Sequence, residues 1–365
     1  MTHLGDTPLH PRSHYVRELK SRLPATTFVR ATSRLAFIPV HVALIVLASL
    51  AIARGWVPWP VVPLLSLVIG ASFAGLTFVG HELLHGAIVR DRRWQHALGW
   101  LTFLPFTLSP RLWQDWHNRV HHARTNLEDD PDGYPTLDEY RASRAARFAI
   151  DAFSLGGNRW RGALSLILGF TVQSAQQLLG ARSRASLSPQ QRRLVFVETA
   201  AAVLVWLVVA ALVGPLLFLF VFVLPLLVAN AAVMSFILTN HSLSPRVTVD
   251  DPLISGLSVT TPRAIDWLTL RFGYHVEHHL FPAMSSRHAP AVRAALLARW
   301  PERYQSMPLT AALARLHRTA RVYLNATTLI DPMTGQTFPT LLPRKTAAVA
   351  KPTAPTALLG VPQGA

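Results

Sequence analysis

The chain has 365 residues, of which 50% are hydrophobic and 15% charged, with no cysteine and a formal net charge of +16 at pH 7. The missing cysteine excludes disulfides, thiolate zinc sites and any iron–sulfur centre of the chain's own, and fits a reducing cytoplasmic face. The apolar residues lie in long uncharged runs without amphipathic patterning, which excludes an ordinary soluble core; with no compact basic domain, nucleic-acid binding is set aside as well.

Residues 1–34 form a leader carrying Arg12, Arg17, Lys20, Arg22, Arg30 and Arg34. It lacks the apolar core of a cleavable signal peptide, so it is read as a cytosolic N-terminal leader. Residues 35–53 hold no charge between Arg34 and Arg54; at about 1.5 Å per residue they reach about 28 Å, one bilayer core. A second span is expected at 57–80. Residues 97–108 are too short to cross and are expected to dip in and return. Residues 162–181 are interrupted by Gln173, Gln176 and Gln177 and read as an interfacial helix. The run from Leu194 to Thr239 contains Glu198 alone as a charge and has Gly214-Pro215 at its midpoint, giving spans at 194–213 and 215–239. Residues 35–300 are thus read as a membrane domain of four spanning helices in two hairpins. A helical C-terminal segment is expected over 301–345, and a disordered Ala-, Pro- and Thr-rich tail over 346–365.

Arginine sets the orientation. Arg90, Arg92 and Arg93 follow the second span, and Arg182, Arg184, Arg192 and Arg193 precede the third, whereas the turn between the first two spans has only Arg54. The positive-inside rule then places both termini and the long loops in the cytoplasm. Basic charge carried mainly by arginine, with abundant alanine, points to a bacterial inner membrane.

Three histidine clusters carry the chemistry: His81-Glu-Leu-Leu-His85, His117-Asn-Arg-Val-His121-His122 and His275-Val-Glu-His278-His279. Residues three or four apart share a helix face, so each cluster can aim its rings at one point. Pooled, they supply too many nitrogens for one tetrahedral zinc, and a membrane enzyme with two metal ions follows. Two other readings stay open. His81-Glu82-x-x-His85 matches a zinc metallopeptidase pattern, but leaves the other clusters without a role. A metal transporter would hold its ligands near the bilayer midplane, whereas these clusters stand at the cytoplasmic ends of spans. The isolated histidines, such as His41, read as locally bonded or solvated residues.

The three boxes in this order, with paired spans between the second and third, resemble the membrane fatty acid desaturase superfamily over about residues 30–300. The resemblance implies an all-α integral membrane protein with four transmembrane helices and a cytosolic helical cap holding a non-haem di-iron site. Carried over by position, the ligands are His81, His85, His117, His121, His122, His275, His278 and His279. His241 just after the last span makes nine, and Asn240 is a candidate to hold a metal-bound water. The third box, followed by Leu-Phe-Pro282, is similar to acyl-lipid desaturases. The second has one more residue than their commonest form and is similar to alkane hydroxylases.

An O2-dependent desaturase acting on a lipid-linked or activated acyl chain is therefore expected, with a membrane di-iron hydroxylase or ketolase of alkyl, sphingolipid or carotenoid substrates as the alternative. Glu82, Asp115 and Glu277, and the Asp129/Asp130/Asp132 run, are candidates to accept the second N–H of ligand imidazoles. Trp113, Trp116 and Trp267 are candidate walls of an acyl tunnel. The chain has no cytochrome b5 motif and no Gly-x-Gly-x-x-Gly fingerprint, so electrons are expected from a separate ferredoxin, cytochrome or similar donor with its reductase. Arg90, Arg92, Arg93, Arg271, Arg287, Arg293 and Arg299 would suit an acidic donor of that kind.

Overall fold

The structure, a computed structural model, describes residues 3–153 and 160–343, so the expected tail from residue 346 lies outside the described residues. Three described segments are long and apolar enough to cross a membrane: Ala25–Ala53, Trp59–Leu84 and Pro189–His241. The most apolar windows of the first and third are only 17% and 6% buried, against 61% for the second. Trp59–Leu84 is thus the inner element, and the other two turn apolar sides outward.

Helices α1 (Phe37–Ala53) and α2 (Val62–Leu84) pack as a hairpin. The second helix runs four residues past the uncharged run, which places His81 in its last turn. Gly86, with φ of 77°, follows the His85 cap and ends the helix in a conformation that favours glycine. Next, α3 (Arg92–Phe103), capped by the Asp91 carboxylate, runs to a left-handed turn at Thr107 (φ 50°), and the chain returns through α4 (Pro110–Trp113). Helix α5 (Ala163–Gly180) lies along the last long helix, α7, which spans Leu224–His241. Asn230 of α7 accepts from the Thr171 backbone N–H at 3.0 Å.

The 53-residue apolar segment Pro189–His241 reverses direction. Its first helix, α6 (Pro189–Phe218), is broken at Gly214, where φ 75° and ψ 166° are open essentially to glycine alone. Pro215 starts the next limb. As a result the rings of Trp206 and Phe222 lie 4.2 Å apart, whereas sixteen residues of straight helix would separate them by about 24 Å. Glu198, the one charge between Leu194 and Thr239, meets Arg111 at 3.0 Å and Ser109 at 2.6 Å, which ties α4 to α6.

The remaining elements gather where α2 and α7 end. The leader is built into this layer: Tyr15 donates to Asp251 at 3.0 Å, and Arg303 pairs with the same carboxylate at 2.7 Å. The all-α expectation needs correcting here. Ser258–Thr260 pairs in parallel with Ser306–Pro308, and residues after the helix Leu309–Arg318 form a three-stranded antiparallel sheet, Val322–Asn325, Thr328–Ile330 and Thr337–Pro339. The expected helical segment 301–345 is therefore helix followed by sheet over its described part. Alternating burial in short β-branched strings carries too weak a signal to separate such strands from loop.

Candidate metal centre

Each box is delivered by a different piece of local structure. His81 and His85 stand one turn apart at the end of α2. The second box lies on a π-helical turn, Gln114–His121, with His122 immediately after it. A π-turn holds one more residue than an α-turn, so it absorbs the additional residue of this box and brings positions 117, 121 and 122 toward one face. The third box forms the short helix α8 (His275–Leu280), and His241 closes α7.

The rings converge on two points. His81, His85, His117 and His278 each offer a nitrogen within 4.8 Å of the others, and so do His121, His241, His275 and His279. His122 joins the first group: its Nε2 lies 3.2 Å from His117 Nε2 and 3.0 Å from His278 Nε2. Ring centroids of His81 and His278 are 4.5 Å apart, and those of His241 and His275 4.4 Å, so the first and third boxes share one end of the bundle.

In the second group every Nδ1 is engaged. His121 Nδ1 meets Asp130 Oδ1 at 3.0 Å, and His241 Nδ1 faces the Ser255 carbonyl at 2.9 Å. His275 Nδ1 meets the Asn240 side-chain amide at 3.0 Å, and His279 Nδ1 meets Thr125 Oγ1 at 3.2 Å. These contacts leave the four Nε2 atoms to point inward, as ligands require. His85 Nε2 in one group and His279 Nε2 in the other are buried without a hydrogen-bond partner. A buried polar atom with no partner is costly, and a metal ion would remove that cost in both groups. The nitrogen-rich donor set suits iron, and the residues present therefore fit two such ions.

Electrostatics favour binding. Burial holds the imidazoles of His85, His117, His122, His275, His278 and His279 well below their ordinary pKa, so their lone pairs are free. His121 is the exception. Burial lowers it too, but the charges of Asp130 and Asp132 outweigh burial and lift it to about 9. An anionic partner of this kind raises the basicity of the ring it holds.

The residues chosen from sequence to orient the ligands fall into two sets. Asn240 touches His275, as described above. Glu82 instead pairs with Arg34 at 3.1 Å and accepts from the Ser286 N–H at 2.7 Å. That leaves it no role as a ligand partner or as the general base of a zinc peptidase. Asp115 bonds Ser186 at 2.7 Å and Arg119 at 3.4 Å. Glu277 bonds Ser258 at 2.6 Å and Tyr304 at 2.5 Å. Of the Asp129–Asp132 run, Asp130 is the nearer ring partner and Asp132 Oδ2 lies 3.4 Å from the same His121 Nδ1, while exposed Asp129 pairs with Arg124. Ser255 and Thr125 were not singled out from sequence. One acts through its backbone and the other across the fold, so neither leaves a local signal.

A cavity of about 510 Å³ reaches the histidines. Trp113, Trp116, Phe170, Met234 and Phe272 wall it, and Gln173 and Asp132 are among its polar lining. Trp113 stacks on His117 at 4.4 Å, and Trp116 Nε1 donates to Asp132 Oδ1 at 2.9 Å. Trp267 does not line it: this residue is 63% exposed and packs on Phe37 at the start of α1. Its place matches that of an interfacial tryptophan.

The fatty acid desaturase family matches residues 56–311. A fatty acid desaturase of Bacillus subtilis (strain 168) is 28% identical over 235 residues, covering 59% of this chain and 62% of that protein. The chloroplastic omega-6 fatty acid desaturase of Spinacia oleracea is 24% identical over 301 residues, 79% of this chain and 64% of its own. The sn-1 acyl-lipid omega-3 desaturase (ferredoxin) of Synechocystis sp. is 29% identical over 126 residues, 34% of each chain. The match thus spans less than two thirds of the length of each of these relatives. With the family's match extending over most of the chain, across all three histidine boxes, this protein belongs to the fatty acid desaturase family.

Proposed function

We propose that the protein is an O2-dependent desaturase that introduces a C=C bond into a lipid-linked or otherwise activated acyl chain at a histidine-ligated di-iron centre. The observation that carries this reading is the convergence of nine imidazoles on two points beside an aromatic-walled cavity. His81, His85, His117, His122 and His278 would hold one iron, and His121, His241, His275 and His279 the other. When bound, the iron pair supplies O2 activation and removal of hydrogen from unactivated methylenes.

The chain's own residues do the positioning. Asp130, Ser255, Asn240 and Thr125 fix the rings of the second group through Nδ1. Trp113 and Trp116 offer flat apolar walls that keep an alkyl chain extended and exclude water. The Trp116–Asp132 bond, with Gln173 donating to the same oxygen at 2.6 Å, fixes that wall relative to His121. Placement is what separates loss of two hydrogens from gain of an oxygen, since an error of about 1 Å can cost about 100-fold. Each turnover draws two electrons from outside, delivered by a separate donor and its reductase. We place the protein in a bacterial inner membrane with four crossings and with the histidines and arginine-rich loops on the cytoplasmic side.

Lipid profiling of a host expressing the gene tests this reading. Acyl chains lacking two hydrogens are expected. Acyl chains that gain one oxygen would move the assignment to the hydroxylase alternative, and an unchanged profile with iron-loaded protein would refute both.

A further inference from the structure

The cavity beside the histidines has two kinds of wall. Along α2 and α7 it is chiefly apolar, with Phe78, Val233, Met234, Ile237 and Leu238. The loops after the second box and after α7 bring charge instead: Glu128, Asp130, Asp132 and Arg246 line it, joined by Glu139 of the helix Leu137–Ala142. Arg246 is the one arginine or lysine among these lining residues. Such a division suits an amphipathic ligand whose tail lies along the spanning helices and whose polar end meets the loops.

These charges differ in what they already hold. Asp130 and Asp132 both face His121 Nδ1, at 3.0 and 3.4 Å. Glu139 accepts the Thr136 N–H at 2.7 Å in the cap of its own helix. Glu128 is exposed and pairs with no cation among the described residues. Arg246 is half-buried, yet among the described residues its guanidinium makes no hydrogen bond or ion pair; it lies over the Tyr323 ring, 6.0 Å from the centroid.

Backbone contacts hold this arginine in place. The Arg246 N–H donates to the Ala326 carbonyl at 2.9 Å, and the Val247 N–H to the Asn126 carbonyl at 3.0 Å. Asn126 Nδ2 in turn donates to the carbonyls of Pro245 and His241, at 3.1 and 3.3 Å, which ties the loop to the end of α7. The ring beneath the guanidinium is fixed as well, because the Tyr323 hydroxyl donates to the Ser244 carbonyl at 2.7 Å. A partly buried cation without a counter-ion is costly, and an anion entering the cavity would remove that cost.

We propose that Arg246 binds the phosphate of the substrate's headgroup and so selects acyl chains carried on a phosphate-bearing molecule. The proposal rests on the desaturase reading with a lipid-linked or activated chain. In such a chain the carboxyl is tied up as an ester or thioester, so the anion nearest the alkyl part is a phosphate. The guanidinium fork matches phosphate oxygens in pairs, whereas a neutral sugar headgroup offers it no anion. Arg246 meets the polar end of the substrate and not the reacting carbons, so it governs which lipid is bound rather than how fast the bond is formed.

The test uses the full-length, iron-loaded protein in detergent. Native mass spectrometry compares retention of phosphatidylglycerol with that of an uncharged monoglucosyl diacylglycerol bearing the same acyl chains. Wild type should retain the phospholipid at least about tenfold better, and Arg246→Gln should bring the two lipids within about twofold. Arg246→Lys, which keeps the charge without the fork, should fall between them. Arg318→Gln, exposed and outside the cavity, should behave as wild type. In turnover supported by added ferredoxin and reductase, Arg246→Gln should raise KM for phosphatidylglycerol about tenfold with kcat nearly unchanged. Equal retention of both lipids by wild type, or an unchanged ratio in Arg246→Gln, would overturn the proposal. Tighter retention of an acyl phosphopantetheine thioester than of phosphatidylglycerol, lost in Arg246→Gln, would uphold the phosphate contact and make the thioester its source. A wild type that shows the lipid preference yet forms no double bond would overturn the desaturase reading and leave the phosphate contact standing.

Discussion

Asp130 Oδ1 lies 3.0 Å from His121 Nδ1, both groups buried, while the adjacent Asp129 turns outward to Arg124. Two neighbouring carboxylates thus have different roles, and the difference can be measured. Asp130→Asn keeps the shape but removes the nearer of the two charges, Asp130 and Asp132, that face the His121 ring. Iron affinity at the second group should fall about 10- to 100-fold, read as iron content after dialysis against a graded chelator. Asp129→Asn should retain wild-type iron. Equal loss from both variants would mean that the Asp130 contact has no special part.

Arg34 and Glu82 form a buried pair that joins the leader to the end of α2, and Arg34 also donates to the Leu270 carbonyl at 3.2 Å. Removing one partner strands a buried charge. Arg34→Met should destabilise the protein by about 3–5 kcal/mol, and Arg34→Met/Glu82→Gln should recover part of that loss. Denaturation in detergent measures both, and a single-variant effect below about 1 kcal/mol would place the pair among weak surface contacts.

The absence of cysteine makes topology directly testable, because each introduced thiol stands alone. Cysteine at Ser21 or Ser183, near the arginine-rich segments, should react with an impermeant maleimide only from the cytoplasmic side. Cysteine at Trp56 or Leu212, exposed residues near the two reversals, should react only from the other side. Labelling of Leu212→Cys from the cytoplasm would reject a crossing that turns at Gly214.

Trp116 and Trp267 were equivalent candidates in the sequence and are not equivalent in space. Trp116→Phe keeps an aromatic wall but loses the bond to Asp132, and it should shift the position of the new double bond or the preferred chain length. Trp267→Ala should leave product position unchanged. Gas chromatography of derivatised acyl chains decides, and an unchanged product from Trp116→Phe would detach this wall from selectivity.

The boxes were legible because metal ligands on one helix face must recur at three or four residues, so the pattern is written in short strings of sequence. Of the ring partners, Asp130 and Asn240 were marked in the sequence, whereas Ser255 and Thr125 were not. Glu82 follows His81 directly, and successive residues on a helix point about 100° apart, so Glu82 turns away from the point that His81 faces. Thus Glu82, Asp115 and Glu277 became fasteners of the surrounding layer. The two partners without a local signal are brought to the rings by the fold, Ser255 from the end of the short helix Pro252–Ser255 and Thr125 from just after the second box. Uncharged runs and Gly214-Pro215 marked the long helices and the reversal, because backbone burial in an apolar medium demands helix and the φ/ψ pair at Gly214 is open essentially to glycine. The strands after residue 321 were hidden by their shortness.

Iron stoichiometry of the purified protein tests the central claim most directly. Two irons per chain are expected for the wild type, with a Mössbauer signature of nitrogen-rich ligation. His85→Ala and His279→Ala, which each remove one of the unpartnered nitrogens, should each bring the content to about one iron, leaving the other group loaded. A wild type that binds a single zinc, or one whose iron content is unchanged in both variants, would contradict the assignment of these histidines to a two-metal centre.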